Sequence, residues 1–359
     1  MQCPTISEYV KASQDAGDNL DMSTEATDEE LNEAITDEWG VKYSKDGRKL
    51  LKAPQNLDGT YSIRKGTKIV CDMAVSGCRL LNSLVIPEGV TSIGDEAFYG
   101  CSSLSNLVIP DGVTSIGDWA FCDCSSLKSL VLPDSVVNLK GNPFCSWNGE
   151  LKCLSPYFIY DNKVLFDKDK SKIIAFRDKD TTSYIIPDYV TSIGDSAFNE
   201  CDSLRSVIIP DGVTSIGDNA FQFCSALNDI IIPDSVTSIG NSAFNECDSL
   251  RSVVIPDGVT SIGDNAFQFC PSLNDIIIPD SVTNIGNYAF GECSSLSSLV
   301  IPDSVTSIGD WAFYYCSALR SAVLPDGVTS IGIGAFSYCY FPYKLKQELI
   351  SRFGEKIFR

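Results

Sequence analysis

The sequence predicts a repeat solenoid, in which short parallel β-strands stack into one long body that is mostly β with little helix. The stretch IPDGVTSIGDNAFQFC occupies residues 209–224 and recurs letter for letter at 255–270. The proline near its start returns every 23 residues along the chain, apart from one gap of 54 between Pro133 and Pro187. A period of about this length is typical of chains in which one supersecondary unit stacks on the next.

Residues 1–40 are predicted to form an acidic, helical N-terminal segment that caps the first turn. Thr27 is followed three residues later by Glu30, which is the spacing of a capping box, and this predicts a short helix near residues 28–35. A second helix is predicted over residues 7–14, SEYVKASQ. The first 25 residues hold no basic region followed by an apolar one, so they show no secretory signal.

The solenoid is expected to run over residues 41–341, with two variant turns at 41–63 and 164–186. Each variant turn reads as an alternating strand, a Lys/Asp turn, a second strand and then Tyr-x-Ile. This order predicts a β-hairpin in both. Residues 133–163 read as one repeat with an insertion, because 31 residues exceed the period of 23 by eight.

One repeat, 204–226, illustrates the others. Its L-x-x-L-x-L pattern predicts a short parallel strand that points Leu204, Val207 and Ile209 inward. Pro210 ends that strand because proline cannot donate a ladder hydrogen bond. A second extended piece is predicted over 213–216, and a half-turn of helix after the inward-pointing phenylalanine.

Stacking places each repeat position in a column of identical side chains, since neighbouring strands lie about 4.8 Å apart. The phenylalanines are therefore predicted to form one aromatic spine inside the solenoid, with rings in offset stacks. Its members are Phe98, Phe121, Phe198, Phe221, Phe244, Phe267, Phe290, Phe313 and Phe336.

Ten of the fifteen cysteines share one repeat position. One interpretation is a metal or redox row, and the other is a column of small buried thiols. Only Cys122 and Cys124 approach the clustered spacing of metal ligands, so we expect buried, mostly free thiols and no metal site. Free thiols favour a reducing or anoxic setting. The ten are Cys78, Cys101, Cys124, Cys201, Cys224, Cys247, Cys270, Cys293, Cys316 and Cys339.

Two rows of acids are predicted to serve as turn residues rather than calcium ligands. One row follows the proline, as Asp211 does, and the other follows Ile-Gly, as Asp218 does. The calcium-binding G-G-x-G-x-D repeat is absent, and Asp side chains commonly cap turns. The start of an EF-hand loop at 167–171 is set aside because Lys172 stands where glycine is needed.

Residues 342–359 are predicted to form a C-terminal cap helix. Pro342 interrupts the repeat, and Leu345, Leu349 and Phe353 then share one helical face. Gly354 is the expected stop. A helix of this kind would cover the last open turn of the stack.

The composition argues against an enzyme and against two classes of partner. The chain has no histidine, which excludes Ser-His and Cys-His nucleophile pairs and imidazole metal ligands. We expect no catalytic residue and no cofactor. A formal charge of -20 repels nucleic acid and anionic lipid, and no apolar run is long enough for membrane insertion.

The repeated letters I-P-D-x-V-T-S-I-G-x-x-A-F-x-x-C-x-x-L resemble the BspA-like leucine-rich repeats of bacterial and some protist surface proteins. The resemblance covers residues 41–341. It implies a curved leucine-rich-repeat solenoid and a protein of the cell surface or a secreted adhesin, which binds host proteins or other cells. The family has no catalytic residues to carry over.

The outward positions of the leucine strands are the predicted partner-binding site. Each strand offers a polar pair and then a β-branched residue, which together would form an apolar stripe with polar edges. Alternatively, β-branched residues simply favour strands and are half-covered by their neighbours. The predicted binding residues are Arg205, Ser206, Ile208, Asn228, Asp229, Ile231, Arg251, Ser252, Val254, Asn274, Asp275 and Ile277.

Two functions follow from this sequence. The first is a non-enzymatic scaffold for adhesion or host interaction at the cell surface. The second is a cytoplasmic scaffold or effector with the same protein-binding solenoid, which the missing signal and the free thiols favour. In both cases the partner is a protein whose identity the sequence does not give.

Overall fold

Each 23-residue repeat forms one turn of a solenoid, as the sequence predicted, and each turn has three sides. The computed structural model describes residues 23–359, and these make about 12 turns with few helices. The predicted helix over residues 7–14 lies outside the described residues. Within 23–359 neither α-helix is long and apolar enough to cross a membrane.

The first side is a parallel ladder built from the leucine strands, which we call the leucine ladder. Ser206–Ile208 pairs in parallel with Asp229–Ile231, and Val207 lies opposite Ile230. Alternate residues of each strand point into the core, because successive side chains of a strand face opposite ways. The strands are Asp58–Ser62, Leu80–Val85, Asn106–Leu107, Ser129–Leu132, Glu150–Cys153, Ser183–Ile185, Ser206–Ile208, Asp229–Ile231, Ser252–Val254, Asp275–Ile277, Ser298–Val300 and Ser321–Val323.

The second side is a parallel ladder of two-residue strands, which we call the Ser-Ile ladder. Thr214 strengthens it, because both its N–H and its hydroxyl donate to the Thr191 carbonyl of the turn before, at 2.8 and 3.3 Å. The strands are Ile69–Val70, Ser92–Ile93, Ser115–Ile116, Asn138–Leu139, Ser192–Ile193, Ser215–Ile216, Ser238–Ile239, Ser261–Ile262, Asn284–Ile285, Ser307–Ile308 and Ser330–Ile331.

The third side is a column of turns around each phenylalanine, which we call the Phe turns. The N–H of Phe198 donates to the carbonyl of Ala220 in the next turn at 2.7 Å, and this pattern repeats along the stack. The predicted half-turn of helix before Cys224 is wrong. Asn219 and Phe223 have φ angles of 54° and 60°, and these left-handed residues break a right-handed helix.

The aromatic spine is two stacks rather than the single one predicted. Phe221 and Phe244 represent the long stack, with ring centroids 5.3 Å apart and planes 3° apart. The short stack runs from Phe98 through Phe121 to Phe144. It ends there against Trp147, and the Arg177 guanidinium lies 4.3 Å from the Trp147 ring. The core accordingly divides into two buried clusters at this point, which we call the junction.

Both predicted hairpins are present, and each carries a third strand that the sequence did not reveal. In the first, Lys42–Tyr43 pairs antiparallel with Lys49–Lys52 and with Ile35–Thr36. In the second, Val164–Asp167 pairs antiparallel with Lys172–Phe176 and with Phe158–Asp161. Lys49–Lys52 and Lys172–Phe176 then continue in parallel into the Ser-Ile ladder.

The N-terminal helix is shorter than predicted, covering Asp28–Asn32 rather than 28–35. Its capping box is confirmed, because Thr27 accepts from the Glu30 N–H and the Glu30 carboxylate accepts from the Thr27 N–H. The buried Lys49 reaches the Glu30 carboxylate at 3.0 Å, which ties the helix to the first hairpin.

The C-terminal cap replaces the turn that the stack lacks. The helix Tyr343–Phe353 buries Leu349 and half-buries Leu345 and Phe353, as predicted, and a 3₁₀ segment follows at Glu355–Phe358. The carbonyls of Lys356 and Ile357 accept hydrogen bonds from the last Phe turn at 2.9 and 2.8 Å. The cap therefore pairs the backbone N–H groups that a further repeat would otherwise have paired.

The acids that follow Ile-Gly join one turn to the next instead of capping their own turn. The Asp218 carboxylate accepts from the Asn241 N–H at 2.6 Å, and Asn241 in its turn accepts from the Asp264 N–H at 2.9 Å. Aspartate and asparagine alternate in this column because both offer the same acceptor oxygen. The close approach explains the neighbouring glycine, since a Cβ on Gly240 would lie 2.5 Å from Asp218 atoms.

We therefore expect Asp218→Ala to lower the free energy of unfolding by about 0.5–1.5 kcal/mol, the usual net value of one hydrogen bond. Asp218→Asn should leave it nearly unchanged, because the acceptor survives. Urea unfolding followed by circular dichroism measures both effects. Asp211→Ala, in the row of acids that follow the proline, controls for the lost charge. An equal effect of Asp211→Ala and Asp218→Ala would contradict the hydrogen-bond explanation.

Candidate binding face

The predicted binding residues all lie on the outer surface of the leucine ladder, which we call the strand face. Ile208, Ile231, Val254 and Ile277 are exposed by 57, 75, 57 and 54%. Neighbouring side chains cover nearly half of Ile208, Val254 and Ile277, as the alternative expects, but more than half of each residue remains exposed. The strand face therefore presents large apolar side chains to solvent.

Strand pairing arranges these side chains in a straight stripe. Ile208 lies directly opposite Ile231, and Val254 lies directly opposite Ile277. The stripe extends along the ladder on both sides of these four residues, but Lys152 interrupts it beside Val131, and Ser62 stands beside Val85 in the first strand. Its exposed members are Val85, Val108, Val131, Ile185, Ile208, Ile231, Val254, Ile277, Val300 and Val323.

Columns of polar residues lie beside the stripe, and the charge of these residues changes from turn to turn. Arg205 is followed in the next turn by Asn228, and Ser206 is paired with Asp229. The same order returns at Arg251, because residues 196–241 and 242–287 are nearly identical copies of a two-repeat unit. The strand face thus alternates basic and acidic edges with a spacing of two turns.

The cysteine column is part of the core, as predicted. The Cys224 thiol donates to the Phe198 carbonyl at 3.1 Å, and the same bond recurs in later turns. Burial raises the pKa of the Cys293 thiol to about 12, which keeps it protonated and unreactive at neutral pH. Apart from Cys71, the cysteines among residues 23–359 are free thiols.

The junction brings together three side chains of the types that can ligate a metal ion, a grouping that the sequence did not predict. The ligand atoms of Cys122, Cys145 and Glu200 lie within 4.8 Å of one another, with both thiols buried. A signal for the first two was present in the sequence, since both directly follow a phenylalanine and they are one period apart. Glu200 carried no such signal because an irregular insertion separates it from both.

The junction also half-buries an acid. Burial raises the pKa of Asp118 from its ordinary value of 3.8 to about 7, against a hydrogen bond from the Asn142 N–H at 2.7 Å that lowers it. The neighbouring carboxylates of Asp95 and Asp195 raise it further. The Ser196 hydroxyl accepts from the Trp119 indole N–H at 2.8 Å on the same side.

Asp118 should make the protein less stable as pH rises from about 4 to 7, because the unfolded chain releases this proton first. Asp118→Asn keeps the acceptor for Asn142. It should raise the free energy of unfolding above pH 7 by about 1–2 kcal/mol, and should change it little below pH 4. Urea unfolding at both pH values tests this. Asp264→Asn, at the same repeat position but exposed, is the control; equal effects of the two substitutions would refute the burial argument.

Comparison with known proteins agrees with the geometry. The family model described as the BspA type leucine rich repeat region matches residues 59–154, 172–296 and 237–359. No curated protein matches the sequence.

Two solved structures are similar to this chain. A leucine-rich repeat protein from Eubacterium ventriosum has a TM-score of 0.66 and 25% identity, over 80% of this chain and 86% of that one. A leucine rich cell surface protein from Faecalibacterium prausnitzii has a TM-score of 0.53 and 26% identity, over 77% of this chain and 76% of that one. The similarity therefore extends over most of both partners in each case.

Proposed function

We propose that this chain, which belongs to the family of BspA-type leucine-rich repeat proteins, is a non-enzymatic scaffold that binds a protein partner on its strand face. Leucine-rich repeat proteins are generally interaction scaffolds. The observation that carries the proposal is the stripe of exposed valine and isoleucine, which is too long and too regular to be scattered surface apolarity.

The stripe supplies the apolar part of an interface. Side chains such as Ile231, at 75% exposure, would each contribute about 1.5–3 kcal/mol if fully buried against a partner. Neighbouring turns place them about 4.8 Å apart, so an extended segment or a flat surface can contact several at once.

The polar edges supply register. Arg205 and Arg251 offer guanidinium donors, while Asp229 and Asp275 offer acceptors, on turns that alternate along the ladder. A partner with the complementary order of charges would be held at one position along the stripe, since charged edges contribute specificity more than affinity. The two-turn unit repeats this arrangement, so the face offers equivalent sites side by side.

We assign the scaffold to adhesion or host interaction at the cell surface. The Faecalibacterium prausnitzii protein that it resembles is described as a cell surface protein. The second candidate is a scaffold or effector inside the cell, which the thirteen described cysteines other than Cys71, all free thiols, favour because disulfides are rare in reducing compartments.

The strand face is tested by the triple substitution Ile208→Lys, Ile231→Lys and Ile277→Lys. Buried charge on the stripe should reduce binding at least tenfold, and the circular dichroism spectrum should not change because all three side chains point to solvent. Capture of host-cell surface proteins on the immobilised chain, quantified by mass spectrometry, measures the loss.

The matched control places the same three charges on the Ser-Ile ladder, as Ser238→Lys, Ser261→Lys and Ser330→Lys, all exposed positions. The partners of the strand face are the proteins captured by the wild-type chain and by the control but not by the strand-face variant. If the strand-face variant captures the same proteins at the same level, binding occurs on another surface.

A further inference from the structure

Two cysteines depart from the column that the core requires. The in-phase cysteines follow their phenylalanine by three residues, whereas Cys122 and Cys145 follow Phe121 and Phe144 directly. Four later turns hold amide side chains at this position, and the Asn199 amide donates to the Gln222 side chain at 3.1 Å. The packing of the solenoid therefore does not call for a thiol at this position.

The junction brings a carboxylate to these two thiols. On the side of the Phe turns, residues 141–146 stack directly on 195–200, because the Asn142 amide donates to the Ser196 carbonyl at 2.9 Å. The second hairpin, which lies between them in sequence, contributes no Phe turn there. Glu200 consequently lies beside the turn of Cys145, and the Ser146 hydroxyl donates to its carboxylate.

We propose that Cys122 Sγ, Cys145 Sγ and the Glu200 carboxylate form a binding site for one thiophilic divalent cation, of which zinc is the representative. The three ligand atoms lie within 4.8 Å of one another. Tetrahedral zinc with thiolate and carboxylate ligands needs separations of about 3.5–3.8 Å, so small side-chain rotations complete the site. Two thiolates select zinc over calcium or magnesium, which prefer oxygen.

The surroundings orient the site and balance its charge. Ser146 donates to the Glu200 carboxylate, and the Cys145 thiol donates to the Asn199 amide oxygen at 2.9 Å, so this oxygen lies beside the site. The Lys179 ammonium fixes the same turn by donating to the carbonyls of Asn199 and Glu200 at 2.7 and 3.1 Å. Two thiolates and a carboxylate are neutralised by the divalent cation together with this ammonium.

The location gives the cation a structural role. Phe121 and Phe144 belong to one buried cluster, while Phe198 and Cys201 belong to the other. Cys122 and Cys145 follow the first two residues, and Glu200 lies between the other two. The three ligands therefore come from both sides of the junction. A bound cation therefore links the two halves of the solenoid where the aromatic stack is interrupted, and binding to the folded state alone raises stability.

The test is a titration of the reduced full-length protein with Co²⁺ and with Zn²⁺. One equivalent of Co²⁺ should produce a thiolate-to-metal charge-transfer band, and excess Zn²⁺ should remove it. Cys122→Ser, Cys145→Ser and Glu200→Gln should each weaken Zn²⁺ binding at least tenfold by calorimetry. Zn²⁺ should raise the unfolding temperature of the wild-type protein by more than that of any of these variants.

Two variants serve as matched controls. Glu246→Gln alters the same repeat position two turns beyond Glu200, and Cys153→Ser removes a partly exposed thiol elsewhere. Both should bind one equivalent with wild-type affinity. Circular dichroism of each metal-free variant separates lost ligands from lost folding.

Three results would overturn the proposal. The first is the absence of saturable Co²⁺ or Zn²⁺ binding by the folded, reduced protein. The second is unchanged affinity when Cys122 and Cys145 are both replaced by serine. The third is a Cys122–Cys145 disulfide in the protein as isolated, identified by mass spectrometry, together with no binding after reduction.

Discussion

The structure depends on one constraint, which is that the backbone of each turn finds its hydrogen-bond partners in the turns beside it. Because buried N–H and C=O groups must be paired, every turn has to repeat the shape of the last one. Side chains are recruited to the same task at fixed positions: the Thr214 hydroxyl, the Asp218 carboxylate and the Cys224 thiol all bond to the backbone of an adjacent turn. The 23-residue period of the sequence follows from this requirement.

The same constraint decides where function can reside. Inward positions are committed to the core, and the turn positions that follow Ile-Gly are committed to bonds between turns. The outward side chains of the leucine ladder neither pack in the core nor take part in the bonds that follow Ile-Gly. They are the positions where the sequence changes from Arg205 to Asn228 and back to Arg251, while the residues around them stay the same. A surface that varies on an invariant frame suits recognition, since its chemistry can change without cost to the fold.

Most of the fold could be predicted because contacts one period apart appear in the sequence as repetition. The inward leucines and the buried cysteine column followed from that repetition, and the helical cap around Leu349 followed from the helical spacing of its apolar residues where the repetition ends. Repetition gives no signal where the sequence separation of the contacting residues changes. At the junction Asn142 bonds to Ser196, 54 residues away rather than 23, and no periodic signal connects the two. The break between Phe144 and Phe176 and the neighbourhood of Cys145 and Glu200 were hidden for that reason.

The junction shows what happens when a periodic stack is interrupted. Ladder bonds are lost there, and side chains that reach across must replace them, as Asn142 and Lys179 do. Such groups are costly to bury: burial raises the pKa of Asp118 and lowers that of Arg177, so in both cases the charged form is disfavoured. In a solenoid, stability is a sum over neighbouring turns, so this interface is the natural boundary between two cooperative units. A ligand bound to residues on both sides would stabilise this interface. The same ligand within either half would only reinforce turns that already stack well.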